Sequence, residues 1–372
     1  MILVAKYYII FPMILRLVTK ISISILIGLI FLELTIRVGL IFLPNLMPPI
    51  QFGGAHPRNL IIPDKELGYL LNPNFHCKET NDYKEYHIDI KISSQGLRDY
   101  EHELSKDVYR ILAIGDSYTF GEGVELNDAY LSVLEEKLKN EYGQKNIEII
   151  KVGIPGYGTK QEVGLLKRLI PIFKPKVVIM GLLPQETIRL ETPYTYCYGY
   201  IVESNKLNRL YLVSGKLYSS RAKNRFWGKL DAIIKHYYLT PQFMQARFKY
   251  LRNKLKKHKT ESENITSADY LKQKHASLFA LLQDFKETCL LHNAQPIIIL
   301  IDSNPIEDNF IIQFTKDIGI PTLSLYPFFK ELSDKNIPYH FSHDKHWNAT
   351  GHKTAASAIF KFLSSNNIIE KD

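Results

Sequence analysis

Apolar and polar positions change rhythm several times along the chain. From Ile21 to Leu43 the residues are apolar apart from Glu33 and Arg37, whose spacing of four lets them pair on one helical face. At 1.5 Å per residue such a run crosses a hydrocarbon layer of roughly 30 Å, so it predicts a membrane-spanning helix. A buried core helix is the competing reading. The stretch Tyr7–Leu17 is also apolar but contains Pro12, and either lies in the interface or lengthens the anchor. Pro44, Pro48 and Pro49 end the helix and begin a linker. Further on, Tyr86–Ser93 (YHIDIKIS) alternates with period two and reads as a strand. Gly96 and the following LRDYEHE read as turn and surface.

From residue 109 a different pattern sets in. Five short apolar runs, Tyr109–Ile114, Ile147–Val152, Val177–Leu182, Pro296–Ile301 and Thr322–Leu325, alternate with helical patterns over Asp128–Tyr142, Lys160–Phe173, Ser267–His292 and Glu307–Ile318. A last helix is expected over about Asn348–Leu363, and Asn127 or Asp128 is placed to cap the first. Alternating strands and helices predict an α/β fold with a five-stranded parallel sheet between two helical layers. Ligands in such folds bind beyond the carboxyl ends of the strands. Residues 190–266 interrupt the rhythm and are too long for a plain crossover. Tyr194, Tyr196, Tyr198 and Tyr200 alternate there, Phe226 and Trp227 stand among arginines, and Gln242–Lys259 reads as a helix. The expected division is therefore an anchor and linker (1–50), a β-rich lead-in (51–107), and an α/β domain (108–366) with a basic cap inserted at 190–266.

Composition narrows the class. The 372 residues are 45 % hydrophobic and 23 % charged, which supplies a sizeable core and excludes a disordered chain. Cys77, Cys197 and Cys289 stand far apart, so a disulfide scaffold and a zinc ribbon are excluded and one disulfide at most can form. The formal charge of +9 is concentrated: Lys206 to Lys259 holds 15 Lys/Arg against the single acid Asp231, and the remainder is net acidic. Aromatics interleaved with cations suit an anionic polysaccharide or an anionic lipid surface, and a solvated basic face is the plainer alternative.

Lys6, Arg16 and Lys20 precede the apolar run and no charge follows Arg37 until Arg58, so the N-terminus is expected in the cytoplasm and the remainder outside. No small-x-small cleavage site stands close behind the run, which favours an uncleaved anchor. An exported domain argues against nucleic acid as partner. Asn264-Ile265-Thr266 matches a glycosylation acceptor that matters only in a eukaryote.

The expected strand ends carry the candidate chemistry. The first closes on Gly115-Asp116-Ser117, a turn that exposes a hydroxyl beside backbone N–H groups; a serine becomes a nucleophile once a base takes its proton. The second closes on Gly153-Ile154-Pro155-Gly156-Tyr157-Gly158, whose spacing fits neither the dinucleotide nor the Walker phosphate loop. Ahead of the last helix stands His343-Asp344-Lys345-His346, with His352 a turn further on. An imidazole serves as general base when a carboxylate orients its other nitrogen, and Asp344 lies two residues from His346. Three histidines and an acid within ten residues also leave a metal site open, while His343 and His352 taken singly read as structural.

These three motifs, in this order and at these element ends, resemble the SGNH (GDSL) hydrolase superfamily, serine esterases and acyltransferases on a parallel α/β/α sheet of the flavodoxin-like kind. The resemblance covers about Val108–Leu363 and the preceding LGYLLNP…SSQGLRD stretch. It implies Ser117 as nucleophile, His346 as general base and Asp344 as its orienting carboxylate. It also implies an oxyanion hole from the N–H groups of Ser117 and Gly153, and no metal or organic cofactor. Where the family usually supplies an Asn amide, this chain has Gln185, one methylene longer. The Asp–x–His spacing is similar to the cell-envelope branch that includes alginate acetyltransferases; many family esterases use Asp–x–x–His, with His343 at the first position here. The expectation is a membrane-anchored ester hydrolase, or an O-acyltransferase, acting on cell-envelope glycans or lipids. The alternative is a glycan-binding module with a weakened oxyanion hole.

Overall fold

The structure is a computed structural model that describes residues 2–42, 56–81, 84–105, 108–143, 146–183, 194–214, 216–222, 224–238, 244, 268–301 and 305–369. The chain forms two compact units, one of residues 53–208 and 264–372, the other of residues 1–52 and 209–263.

The larger unit is built on five parallel strands: β1 (Tyr109–Gly115), β2 (Ile147–Gly153), β3 (Val177–Leu182), β4 (Gln295–Leu300) and β5 (Thr322–Ser324). Their order across the sheet is β2-β1-β3-β4-β5. The winding reverses between β1 and β3, which opens a crevice beyond the carboxyl ends of those two strands. Each strand lies within one residue of its expected ends. The runs are apolar throughout because both faces of the sheet are covered. Leu112, Ile114, Ile150, Val152, Val178, Met180 and Leu300 pack into one core. The alternate positions Ile111, Ala113, Ile149, Val177, Ile179 and Ile299 pack into the other.

Seven helices of this unit are used below: α1 (Ser117–Phe120), α2 (Tyr130–Glu141), α3 (Thr159–Phe173), α4 (Ala268–Leu291), α5 (Pro305–Asp317), α6 (Tyr326–Asp334) and α7 (Ala349–Ser365). α3, α4 and α5 feed the first core, and α2, α6 and α7 the second. The α/β/α class expected from the sequence is therefore the one observed. α6 was not expected; it follows β5 with no turn signal between them. The expected cap of α2 is also corrected. Leu126–Asp128 forms a 3-10 turn, Ala129 takes the N-cap position without a side-chain bond, and the Tyr130 N–H donates to His352 Nδ1 at 3.2 Å.

The lead-in contributes two hairpins, Ile61–Asp64 with Gly68–Leu71 and His76–Thr80 with His87–Lys91. Only the last of these strands was expected. The LRDYEHE stretch, expected at the surface, is largely interior, with Leu97, Arg98, Asp99 and His102 all buried. Buried charges require partners, and these come from remote elements. The Asp99 carboxylate accepts from Lys151 Nζ at 3.0 Å, from the Lys151 N–H at 2.8 Å and from His102 Nε2 at 2.8 Å. Lys151 Nζ also meets Glu135 Oε2 at 2.7 Å. Removing one partner from such a buried cluster costs about 3–5 kcal/mol, because the charge left behind stays buried.

In the smaller unit a single helix spans Ile2–Phe42 and continues through Pro12. Its Met13–Gly39 stretch is long and apolar enough to cross a membrane. The large apolar side chains between Met13 and Val38 are mostly exposed, so the described residues form no core around it and the buried-helix reading fails. Arg37 and Glu33 pair as expected, 2.8 Å apart. The same unit holds the hairpin of Leu210–Val213 with Lys216–Ser219 and the helix Arg225–Tyr237. The expected helix Gln242–Lys259 lies outside the described residues.

Candidate active site

β1 delivers Ser117 to the crevice. The Asp116 carboxylate caps α1 by accepting from the Tyr118 N–H at 3.0 Å, and Gly121, at φ 80°, ends the helix after one turn. The strand ends lie so close to α1 that only glycine fits there. A Cβ on Gly153 would stand 2.0 Å from the Phe120 nitrogen, and one on Gly115 2.2 Å from Thr119 Oγ1. The loop that follows Gly153 is tied to the lead-in through the Tyr69 hydroxyl, which donates to the Pro155 carbonyl at 2.8 Å.

The loop before α7 brings the base. His346 Nε2 lies 2.7 Å from Ser117 Oγ, and His346 Nδ1 lies 2.6 Å from Asp344 Oδ1. The His346 N–H also donates to Asp344 Oδ1, at 2.9 Å. This puts Nδ1–H toward the carboxylate and leaves Nε2 to accept the serine proton. Tyr118 supports the imidazole with ring centroids 5.2 Å apart, and packs in turn on the buried Trp347 at 4.8 Å. Burial alone would raise the Asp344 carboxyl, but the hydrogen bonds and charge of His346 hold it below the usual carboxylate range. Burial would lower His346, yet the Glu122 and Asp344 carboxylates outweigh it and hold the imidazole up at about 9.

Glu122 was not anticipated. It is buried, and its Oε2 lies 3.5 Å from His346 Nε2, on the nucleophile side of the ring. Behind it stands His56, Nε2 to Glu122 Oε2 at 3.8 Å, and behind His56 stands Glu79, 3.6 Å from Nδ1. Burial pushes the Glu122 carboxyl up, with Glu79 and Asp344 adding to the rise and His346 and His56 opposing it. His56 is raised because Glu122 and Glu79 outweigh its burial.

Arg98 fixes this segment from outside. Its Nη1 donates to the carbonyls of Phe120 and Gly121 at 3.0 and 2.7 Å, and its Nη2 to that of Val124 at 2.8 Å. Its guanidinium carbon also stands 4.9 Å from the centre of the Phe120 ring. No spacing in the sequence links residues 56, 79, 98 and 122. The only sequence signals are glycines on both sides of Glu122 and an arginine within the resembling lead-in.

The three loop histidines do not converge. His343 turns to Glu85, 3.2 Å away. His352 is buried against Tyr130, its rings nearly parallel at 8°, and burial holds it neutral with its pKa down at about 3. Ligand atoms of Glu122, Asp344 and His346 do lie within 4.8 Å of one another. A cation there would have to break a bond of the serine–histidine–aspartate chain, since both nitrogens of His346 are engaged. Gln185 lies outside the described residues.

No protein-family model matches the chain, and no curated protein matches it by sequence. Among solved structures it is similar to the psychrotrophic esterase EstA from Pseudoalteromonas sp., with a TM-score of 0.40, 12 % identity, and 69 % of this chain and 97 % of that one covered. It is also similar to a putative lipolytic protein of the G-D-S-L family from Desulfitobacterium hafniense, with a TM-score of 0.37, 13 % identity and coverage of 68 % and 99 %. A third is the lipase/acylhydrolase from Enterococcus faecalis, with a TM-score of 0.39, 11 % identity and coverage of 70 % and 97 %.

Proposed function

We propose that this chain is a serine-dependent ester hydrolase of the SGNH type. The observation that carries the reading is the continuous hydrogen-bonded chain Ser117–His346–Asp344 at the carboxyl end of β1. Ser117 Oγ attacks an ester carbonyl and passes its proton to His346 Nε2, while Asp344 holds the imidazolium. The N–H groups of Ser117 and Gly153, with the Gln185 amide, receive the oxyanion. The tetrahedral intermediate collapses, His346 returns the proton to the leaving alkoxide, and an acyl group stays on Ser117. Water, deprotonated by His346, then releases the acid; a sugar hydroxyl in its place completes an acyl transfer by the same residues. The substrate class is an acylated glycan or lipid of the cell envelope, a reading supported by the anchor-like helix Met13–Gly39 and the cations ahead of it. By the same reading the catalytic unit stands on the extracytoplasmic side.

The test is fluorophosphonate labelling of the full chain with p-nitrophenyl acetate hydrolysis measured in parallel. The wild type is expected to label and turn over. Ser117→Ala is expected to do neither, with a loss of roughly 10⁴-fold or more in kcat. Folded wild type that resists the probe would overturn the hydrolase reading in favour of a glycan-binding module.

A further inference from the structure

The helix Arg225–Tyr237 presents most of its large apolar side chains outward, with Ile233 half-buried. Its inner face is made of small residues: Gly228 lies against the Tyr211 ring, where a Cβ would come within 2.2 Å of the hydroxyl, and Ala232 is fully buried. Lys235 Nζ and His236 Nδ1 complete that face, on the Ser219 carbonyl at 2.9 Å and the Tyr218 hydroxyl at 2.9 Å. Phe226, Leu230, Ile234 and Tyr237 follow at spacings of four, four and three, the repeat that lines one side of a helix, and Trp227 flanks them. All five are exposed, Phe226 by 69 % and Trp227 by 60 %. Arg221, Arg225 and Lys229 stand exposed around them. The sequence from residue 239 to Lys259 adds seven more Lys/Arg and no acid.

One contact fixes the level of this stripe. Arg37 Nη2 donates to the Tyr237 carbonyl at 2.9 Å, and Arg37 stands six residues before Leu43, the last residue of the apolar run. The carboxyl end of the helix therefore meets the N-terminal helix within the last two turns of its apolar run, close to the height at which hydrocarbon gives way to headgroups. Trp, Tyr and cations on one amphipathic helix suit that boundary. A second copy of the chain would bring a like-charged segment against this one, whereas anionic headgroups complement it.

We propose that the helix Arg225–Tyr237 lies along the anionic lipid surface of the membrane that the N-terminal helix crosses. Phe226, Trp227, Leu230, Ile234 and Tyr237 enter the acyl region, and Arg221, Arg225 and Lys229 meet lipid phosphates. The proposal rests on the reading of Met13–Gly39 as a membrane span.

Only two tryptophans are present, and Trp347 is buried, so the difference between wild type and Trp227→Phe isolates Trp227 emission. The full chain is reconstituted into phosphatidylcholine vesicles with and without phosphatidylglycerol, their acyl chains brominated near the headgroup. The expected result is loss of most Trp227 emission in brominated anionic vesicles, with quenching that weakens without phosphatidylglycerol or at high salt. Phe226→Ser with Leu230→Ser, both at exposed positions, is expected to restore the emission. Protein that resists alkaline carbonate extraction yet keeps Trp227 unquenched overturns the proposal and leaves the span intact. Protein that carbonate extracts overturns the span and the proposal with it. Emission that follows the protein-to-lipid ratio and ignores bromination makes a second copy the occupant and also overturns it.

Discussion

The segment Asp116–Val124 carries the nucleophile and is gripped by a cation remote in sequence, whereas His340–Asn348 carries the base and is gripped mostly by itself. In the first, Arg98 supplies the donors for three carbonyls, and Asp116, Thr119 and Glu122 are buried. In the second, the Phe341 N–H donates to His346 O at 3.2 Å and the Asn348 N–H to Tyr339 O at 2.9 Å. Asn348 Nδ2 adds bonds to Pro338 O and His340 O. The two segments touch where the Phe341 ring covers Gly123, at φ 85°, so close that a Cβ there would stand 2.4 Å from the ring. A segment held by one buried cation fails as a whole when that cation goes. One held by many small local bonds loses them in fractions.

The strongest way to break this contrast is Arg98→Met. It takes the guanidinium donor from three carbonyls, leaving that of Gly121 only the Val124 N–H at 3.3 Å, at about 1–3 kcal/mol for each buried group unsatisfied. The expected outcome is at least about 3 kcal/mol lost in urea unfolding together with a large fall in kcat/KM. Arg98→Lys is expected to recover only part of both, since an ammonium lacks the planar fork. Unchanged unfolding in Arg98→Met would show that the nucleophile segment holds itself.

A smaller effect is expected at Glu122, and it is read in pH. A base must be neutral to accept the serine proton, so with His346 near 9 the wild-type kcat/KM should rise with pH up to that region. Glu122→Gln removes the carboxylate beside Nε2, so the imidazole pKa falls and the limb moves to lower pH by roughly one unit or more, a unit being 1.36 kcal/mol. More of the base is then active at neutral pH. A limb that stays in place would show that Glu122 does not act on His346.

The smallest effect is expected at Glu85, which accepts from the His343 N–H at 3.0 Å at the exposed edge of the base segment. Glu85→Ala should cost about 1 kcal/mol or less and reduce kcat by a few fold. A loss matching that of Arg98→Met would erase the difference between the two segments.

The sheet was legible in the sequence because both its faces are buried, which turns each strand into an unbroken apolar run. Ser117, Asp344 and His346 were legible because each sits at an element end, where an α/β fold gathers its chemistry. Glu122, His56, Arg98 and Asp99 were not. Each is a single polar residue whose meaning depends on a partner from about 20 to more than 220 residues away, and no local period encodes that. Asp128 misled for a related reason: the N–H it was expected to cap is taken by His352 from the far end of the chain. Gln185 and the helix expected over Gln242–Lys259 lie outside the described residues.

The buried lead-in also imposes an order on folding during synthesis. Asp99 leaves the ribosome 52 residues before Lys151, a delay of roughly 3–10 s at ordinary elongation rates. Until β2 emerges, Asp99 has no ammonium to meet, so the lead-in must stay hydrated and open behind the apolar N-terminal helix. The buried contacts of Asp99 therefore form only after β2 has been made, although the lead-in precedes the sheet in the chain. A fragment trimmed to start at β1 would discard Asp99, His56 and Arg98, leaving Lys151 with Glu135 and Glu122 with His346.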